Sequence, residues 1–125
     1  MSKNVINRLA ASTYIIEAVI KELGGDAPIF ETHCQNYSNL SEAIITAYQN
    51  LDFREQDMIA AKLGFDMDTF APAPKLPYCE ICVQYELCCA GSASRIVRKA
   101  LRKIAMEIIA ESRGEKNKCR PDFPV

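Results

Sequence analysis

The sequence predicts an all-α fold of about five helices, closing with a helix-turn-helix whose second helix is long and basic. Three observations carry this expectation. Apolar residues recur at spacings of three and four in several separate segments, the period of a helix face. No stretch alternates with period two for long enough to make a strand. Starter and stopper residues bracket each apolar stripe.

Taken in order, residues 4–23 predict the first helix, with Val5, Ile6, Leu9, Ile16, Val19, Ile20 and Leu23 on its apolar face. Gly24 and Gly25 then supply a left-handed stop. Asp26 to Asn39 reads as a loop by composition, with Pro28, the single histidine His33, and Cys34. A second helix follows from Ser41, with Leu40 just before it and Ala43, Ile44, Ala47, Tyr48 and Leu51 along it. Asp52 and Glu55 have the spacing of a capping box, with Asp in the usual Ser/Thr place. The third helix they open carries Met58, Ile59 and Leu63 and stops at Gly64, where Phe65 packs back on the last turn. Residues 66–76, with Pro72 and Pro74, predict an extended connector.

Pro77 suits the first turn of the next helix, because its missing N–H is no loss there. Tyr78, Ile81, Cys82 and Tyr85 make its buried face. Cys88-Cys89-Ala90-Gly91 predicts a turn of small residues. From Ser92 a longer helix begins, with Ala93, Ile96, Val97, Ala100, Leu101, Ile104 and Ala105 on its apolar stripe and Arg95, Arg98, Lys99, Arg102 and Lys103 outside it. Gly114 ends this pattern.

The 125 residues suggest a single domain. Within it, 1–51 supply N-terminal helices with a surface for a partner or a second copy of the chain. Residues 52–113 hold the helix-turn-helix, and 114–125, with Pro121 and Pro124, form a flexible tail. No run approaches the roughly 18 apolar residues of a membrane span, and the first residues lack the design of a secretory signal. A cytoplasmic protein without a membrane partner is expected.

The net charge of −1 conceals a split. Residues 1–91 carry six Lys/Arg against twelve Asp/Glu, whereas 92–125 carry nine basic residues against four acidic ones. Such asymmetry points to a polyanion facing the C-terminal segment. Duplex DNA fits, since phosphates need cations and the major groove admits a helix. Ser92 and Ser94 are expected to bond phosphates or base edges, and Arg95 and Arg98 to make bidentate contacts. Lys99, Arg102 and Lys103, further along, are expected to meet phosphates or a protein partner. The small residues Ala90, Gly91, Ser92, Ala93 and Ser94 nearest the turn favour backbone contact over base reading.

The pattern Glu80-Ile81-Cys82 followed by Ile96, Ala100, Leu101, Lys103 and Ile104 carries a resemblance. The run from Leu76 to Ala105 resembles region four of bacterial RNA polymerase sigma factors, with Cys82 where that family usually has Ala. Upstream, Leu51, Arg54, Glu55, Met58 and Ile59 resemble the helix that precedes it. Two departures stand out: Glu86 occupies the place of the family's turn Gly, and the turn is about a residue longer. The resemblance implies promoter-DNA binding in a bacterial or phage setting, with RNA polymerase as a partner. It covers only the C-terminal half, so an accessory regulator of transcription is implied rather than a whole sigma factor.

Six cysteines, among them Cys79-x-x-Cys82 and Cys88-Cys89, invite metal chemistry. No second Cys-x-x-Cys follows at zinc-ribbon spacing, and a free Cys behaves as a small hydrophobe in a helix face. Packing therefore outranks metal binding, and metal binding outranks redox regulation. His33-Cys34 is no catalytic pair by sequence adjacency alone, and no phosphate loop or nucleophile elbow is present. No catalysis, metal or cofactor is expected. The competing expectation is an all-α interaction module, an adaptor or inhibitor, that does not bind DNA.

Overall fold

The computed structural model describes residues 3–114. The described residues form an all-helical fold: α1 (Lys3–Leu23), a 3-10 turn (Gly24–Asp26), α2 (Ala27–Cys34), α3 (Leu40–Gln49), α4 (Phe53–Leu63), α5 (Tyr78–Gln84) and α6 (Ala90–Ser112). An isolated antiparallel bridge between Phe65 and Pro72 is their only β pairing. The expected tail lies outside the described residues, apart from Gly114.

Helix α6 organises the rest, because every other α-helix packs on it. Its buried stripe is Ala93, Val97, Ala100, Leu101, Ile104, Ala105 and Ile108. These residues join one core cluster with Ile15 and Val19 of α1, Phe30 of α2, Ile44, Ile45 and Tyr48 of α3, Met58 and Ile59 of α4, and Ile81 of α5. Tyr48 is wholly buried, and its hydroxyl donates to the Gln56 carbonyl at 2.6 Å. Leaving that hydroxyl unpaired would cost about 1–3 kcal/mol.

The ends of α4 follow the sequence closely. Asp52 accepts from the Glu55 N–H at 2.8 Å, and Glu55 accepts from the Asp52 N–H at 3.2 Å, which completes the capping box. At the other end Gly64 is left-handed (φ 94°), and the N–H groups of Gly64 and Phe65 both donate to the Ala60 carbonyl. A Cβ at Gly64 would lie 2.7 Å from Cγ of Lys75 and 3.1 Å from the Ala73 carbonyl oxygen. Only glycine fits there.

Three expectations are corrected. The segment expected to be a loop over 26–39 contains α2. Pro28 sits in its first turn, where a proline starts a helix rather than breaking one, and Ala27 and Phe30 are buried. The first turns of α1 do not face the core: Val5, Ile6 and Leu9 are each about half exposed, at 47%, 52% and 51%. Ala11 and Ile15 join the expected Val19 on the buried face. Finally, the turn between the last two helices is Tyr85–Cys89, so Ala90 and Gly91 already belong to α6.

That turn has a clear hydrogen-bond logic. Glu86 is left-handed (φ 54°), the Glu86 N–H donates to the Val83 carbonyl at 3.2 Å, and the Leu87 N–H donates to Cys82 at 2.8 Å. These are the two bonds of a Schellman ending, with a glutamate where glycine is usual. The Tyr85 hydroxyl donates to Asp57 and ties the turn to α4. Desolvation, then that carboxylate, push the Tyr85 pKa up.

Candidate nucleic-acid interface

Arg95, Arg98, Lys99 and Arg102 lie at i, i+3, i+4 and i+7 on α6, one face of the helix. All four are exposed. With Glu22 they line a groove of about 420 Å³. Four cations thus surround a single carboxylate, an arrangement suited to an anionic partner.

Glu22 comes from the last turn of α1, and its side chain is only 8% exposed. Arg98 donates from Nε to its Oε1 at 2.9 Å. Nη2 of Arg102 lies 2.8 Å from Oε2, close enough for an ion pair but angled outside a hydrogen bond. The two arginine side chains stay 56% and 60% exposed. Further along, Lys103 bonds the buried Glu55 of α4 at 2.6 Å. Its ammonium thus also holds α6 to α4, while its side chain stays half exposed.

The residues singled out from sequence divide accordingly. Arg95 and Lys99 are exposed and meet no carboxylate among the described residues. Arg98 and Arg102 share Glu22. Ser92 is half-buried and receives a donor from Nη2 of Arg95 at 3.3 Å. Ser94 is half-buried and lines a second groove, of about 490 Å³, with Tyr78, Lys62, Lys21 and Arg98. Neither serine projects freely from α6.

Lys21, Lys62 and Glu22 are the site residues that sequence reading missed. Lys62 sits 4.3 Å over the Tyr78 ring, a cation–π contact. Helices α1 and α4 bring these two lysines beside Arg98. The signal was absent from the sequence, since it depends on α1 and α4 both docking on α6.

Five cysteines fall among the described residues, and all are free thiols. Cys82 is buried, and its thiol donates to the Cys79 carbonyl at 3.1 Å. It fills the small core position expected of it. Burial, then Glu31, push the Cys34 thiol up to about 11. His33 and Asn36 both bond the Ser112 hydroxyl, at 3.0 and 2.6 Å, and fasten α2 to the end of α6. No group of three or more His, Cys, Asp or Glu among the described residues is placed to hold a metal ion. No described helix is long and apolar enough to cross a membrane.

No family model, curated protein or solved structure matches this chain.

Proposed function

We propose that this protein binds duplex DNA through the exposed face of α6 and acts in transcription as an accessory factor without catalysis. The observation that carries the reading is the four-cation face of Arg95, Arg98, Lys99 and Arg102, with Glu22 as its one carboxylate lining among the described residues. Phosphate contact dominates on this reading. Ser92 and Ser94 are held by neighbours, and the arginines and Lys99 act on the DNA backbone. Lys21 and Lys62 extend the same positive surface. RNA polymerase is the protein partner that the likeness to sigma region four suggests.

The test is binding to random-sequence duplex across a salt series. Two to four phosphate contacts give a log–log slope of roughly −2 to −4, at about 0.9 per contact. No binding at low salt would remove the reading.

A second reading has its own observation. Ile6 and Leu9 stand about half exposed on α1, which favours a protein-interaction module. Under that reading Ile6→Asp abolishes association with a protein partner or a second copy, while DNA has no effect.

A further inference from the structure

At the head of α6 two adjacent thiols stand together. Cys88 and Cys89 are both exposed, and the Cys88 thiol points its donor at the Cys89 sulfur, 3.9 Å away. The Ser92 hydroxyl lies 3.3 Å from the Cys88 sulfur and 3.7 Å from that of Cys89. Cys89 is the N-cap of a helix of 23 residues, with no side-chain cap hydrogen bond, so its sulfur lies near the positive end of the helix dipole. Arg95 reaches the same Ser92 hydroxyl and also lines the cationic groove with Arg98, Lys99 and Arg102. Arg95, through Ser92, thus links the thiol pair to the cationic groove.

We propose that Cys89 is a thiol–disulfide exchange site for small anionic disulfides of the oxidised-glutathione class. The Cys89 thiolate attacks one sulfur of the incoming disulfide. A new S–S bond forms to Cys89, the old S–S bond breaks, and the departing half leaves as a thiolate that takes a proton from water. No other oxidant is needed. The groove binds the carboxylates of the incoming disulfide and so brings its sulfur to Cys89. This chemistry stands apart from DNA binding and holds whether or not α6 meets DNA.

The surroundings favour the reactive form. The Cys89 thiol is drawn down from about 9 to about 7, first by the Ser92 hydroxyl and N–H, then by the Cys88 thiol and the Gly91 N–H. About half is then thiolate at neutral pH, and the thiolate is the nucleophile. Cys34, by contrast, is pushed up to about 11 and stays a thiol. Arg95 is the charged group that reaches this cluster, through Ser92.

The test exposes the full chain to oxidised glutathione over a pH series, quenches with acid, and maps adducts by mass spectrometry. The first adduct is expected on Cys89, with a rate that rises through a midpoint near pH 7. Cys89→Ser removes the fast adduct, and Ser92→Ala moves the midpoint upward. At low salt, oxidised glutathione outpaces the cationic disulfide cystamine, and Arg95→Ala narrows that gap. Modification of Cys79, also exposed, as fast as Cys89 would overturn the proposal. So would a midpoint near 9 that Ser92→Ala leaves unmoved.

Discussion

Arg98 of α6 donates to Glu22 of α1 at 2.9 Å, and Glu22 is all but buried beneath it. One acid from the negative half of the chain therefore docks into the positive stripe that was expected to be free for DNA. The contact does two things. It fastens the last turn of α1 to the central helix, and it sets a carboxylate in competition with any phosphate for Arg98 and Arg102.

Glu22→Gln keeps the shape of the side chain and removes that competition. Duplex binding is expected to tighten, and the salt slope to steepen by up to about two as two guanidiniums become free for phosphates. Unchanged affinity and slope, measured by anisotropy across a salt series, would mean that these arginines do not meet phosphates even when freed of the carboxylate.

Glu86 adopts a left-handed backbone at a cost of roughly 1–2 kcal/mol to a residue with a Cβ. Glu86→Gly is expected to recover about 1 kcal/mol, less the extra flexibility gained by the unfolded chain. Urea unfolding checks this: a raised midpoint with an unchanged m-value is the predicted outcome.

Ile81 is fully buried in the core cluster, whereas Ile96 is only partly buried against it. Ile81→Ala should cost about 2–5 kcal/mol, and Ile96→Ala distinctly less. Equal losses at the two positions would contradict the way α5 and α6 pack.

Acid stability has a definite sign. The Arg8 guanidinium, bonded in bidentate fashion to Glu42 at 2.8 and 3.0 Å, holds the Glu42 carboxyl below its ordinary value of 4.5. Turn N–H groups of Thr69 and Asp68 hold Asp66 below its ordinary 3.8. Both folded values lie below the unfolded ones, so their contribution is complete above about pH 5 and fades as pH falls. Glu42→Gln is expected to flatten the acid limb of a stability–pH curve: the variant is less stable than the parent near neutrality, where the ion pair is intact, and the two curves converge as the carboxyl is protonated in acid.

Much of this fold was legible because its signals are local. The capping box of Asp52 and Glu55 and the glycine stop at Gly64 each lie within a helical turn, and the stripe from Ala93 to Ala105 repeats at helical spacing within one helix. What was hidden depends on contacts distant in sequence. Pro28 reads as a loop residue until Phe30 finds its core, and Val5, Ile6 and Leu9 match a buried stripe that the packing of α1 leaves outside. At the candidate site, periodicity placed Arg95, Arg98, Lys99 and Arg102 together on one face. Nothing local announced that Glu22 would hold two of them, or that Glu55 would take Lys103.

The central claim is that the outer face of α6 meets a polyanion, and Arg95 and Lys99 are its two cations without a carboxylate partner among the described residues. The most direct measurement is the salt dependence of duplex DNA binding by the Arg95→Ala, Lys99→Ala double variant, with its helical content compared to the parent protein. Both side chains lie outside the core, so the fold should persist. Affinity is expected to fall and the log–log slope to flatten by about two, at roughly 0.9 per lost phosphate contact. Parental affinity and slope in a folded double variant would contradict the account.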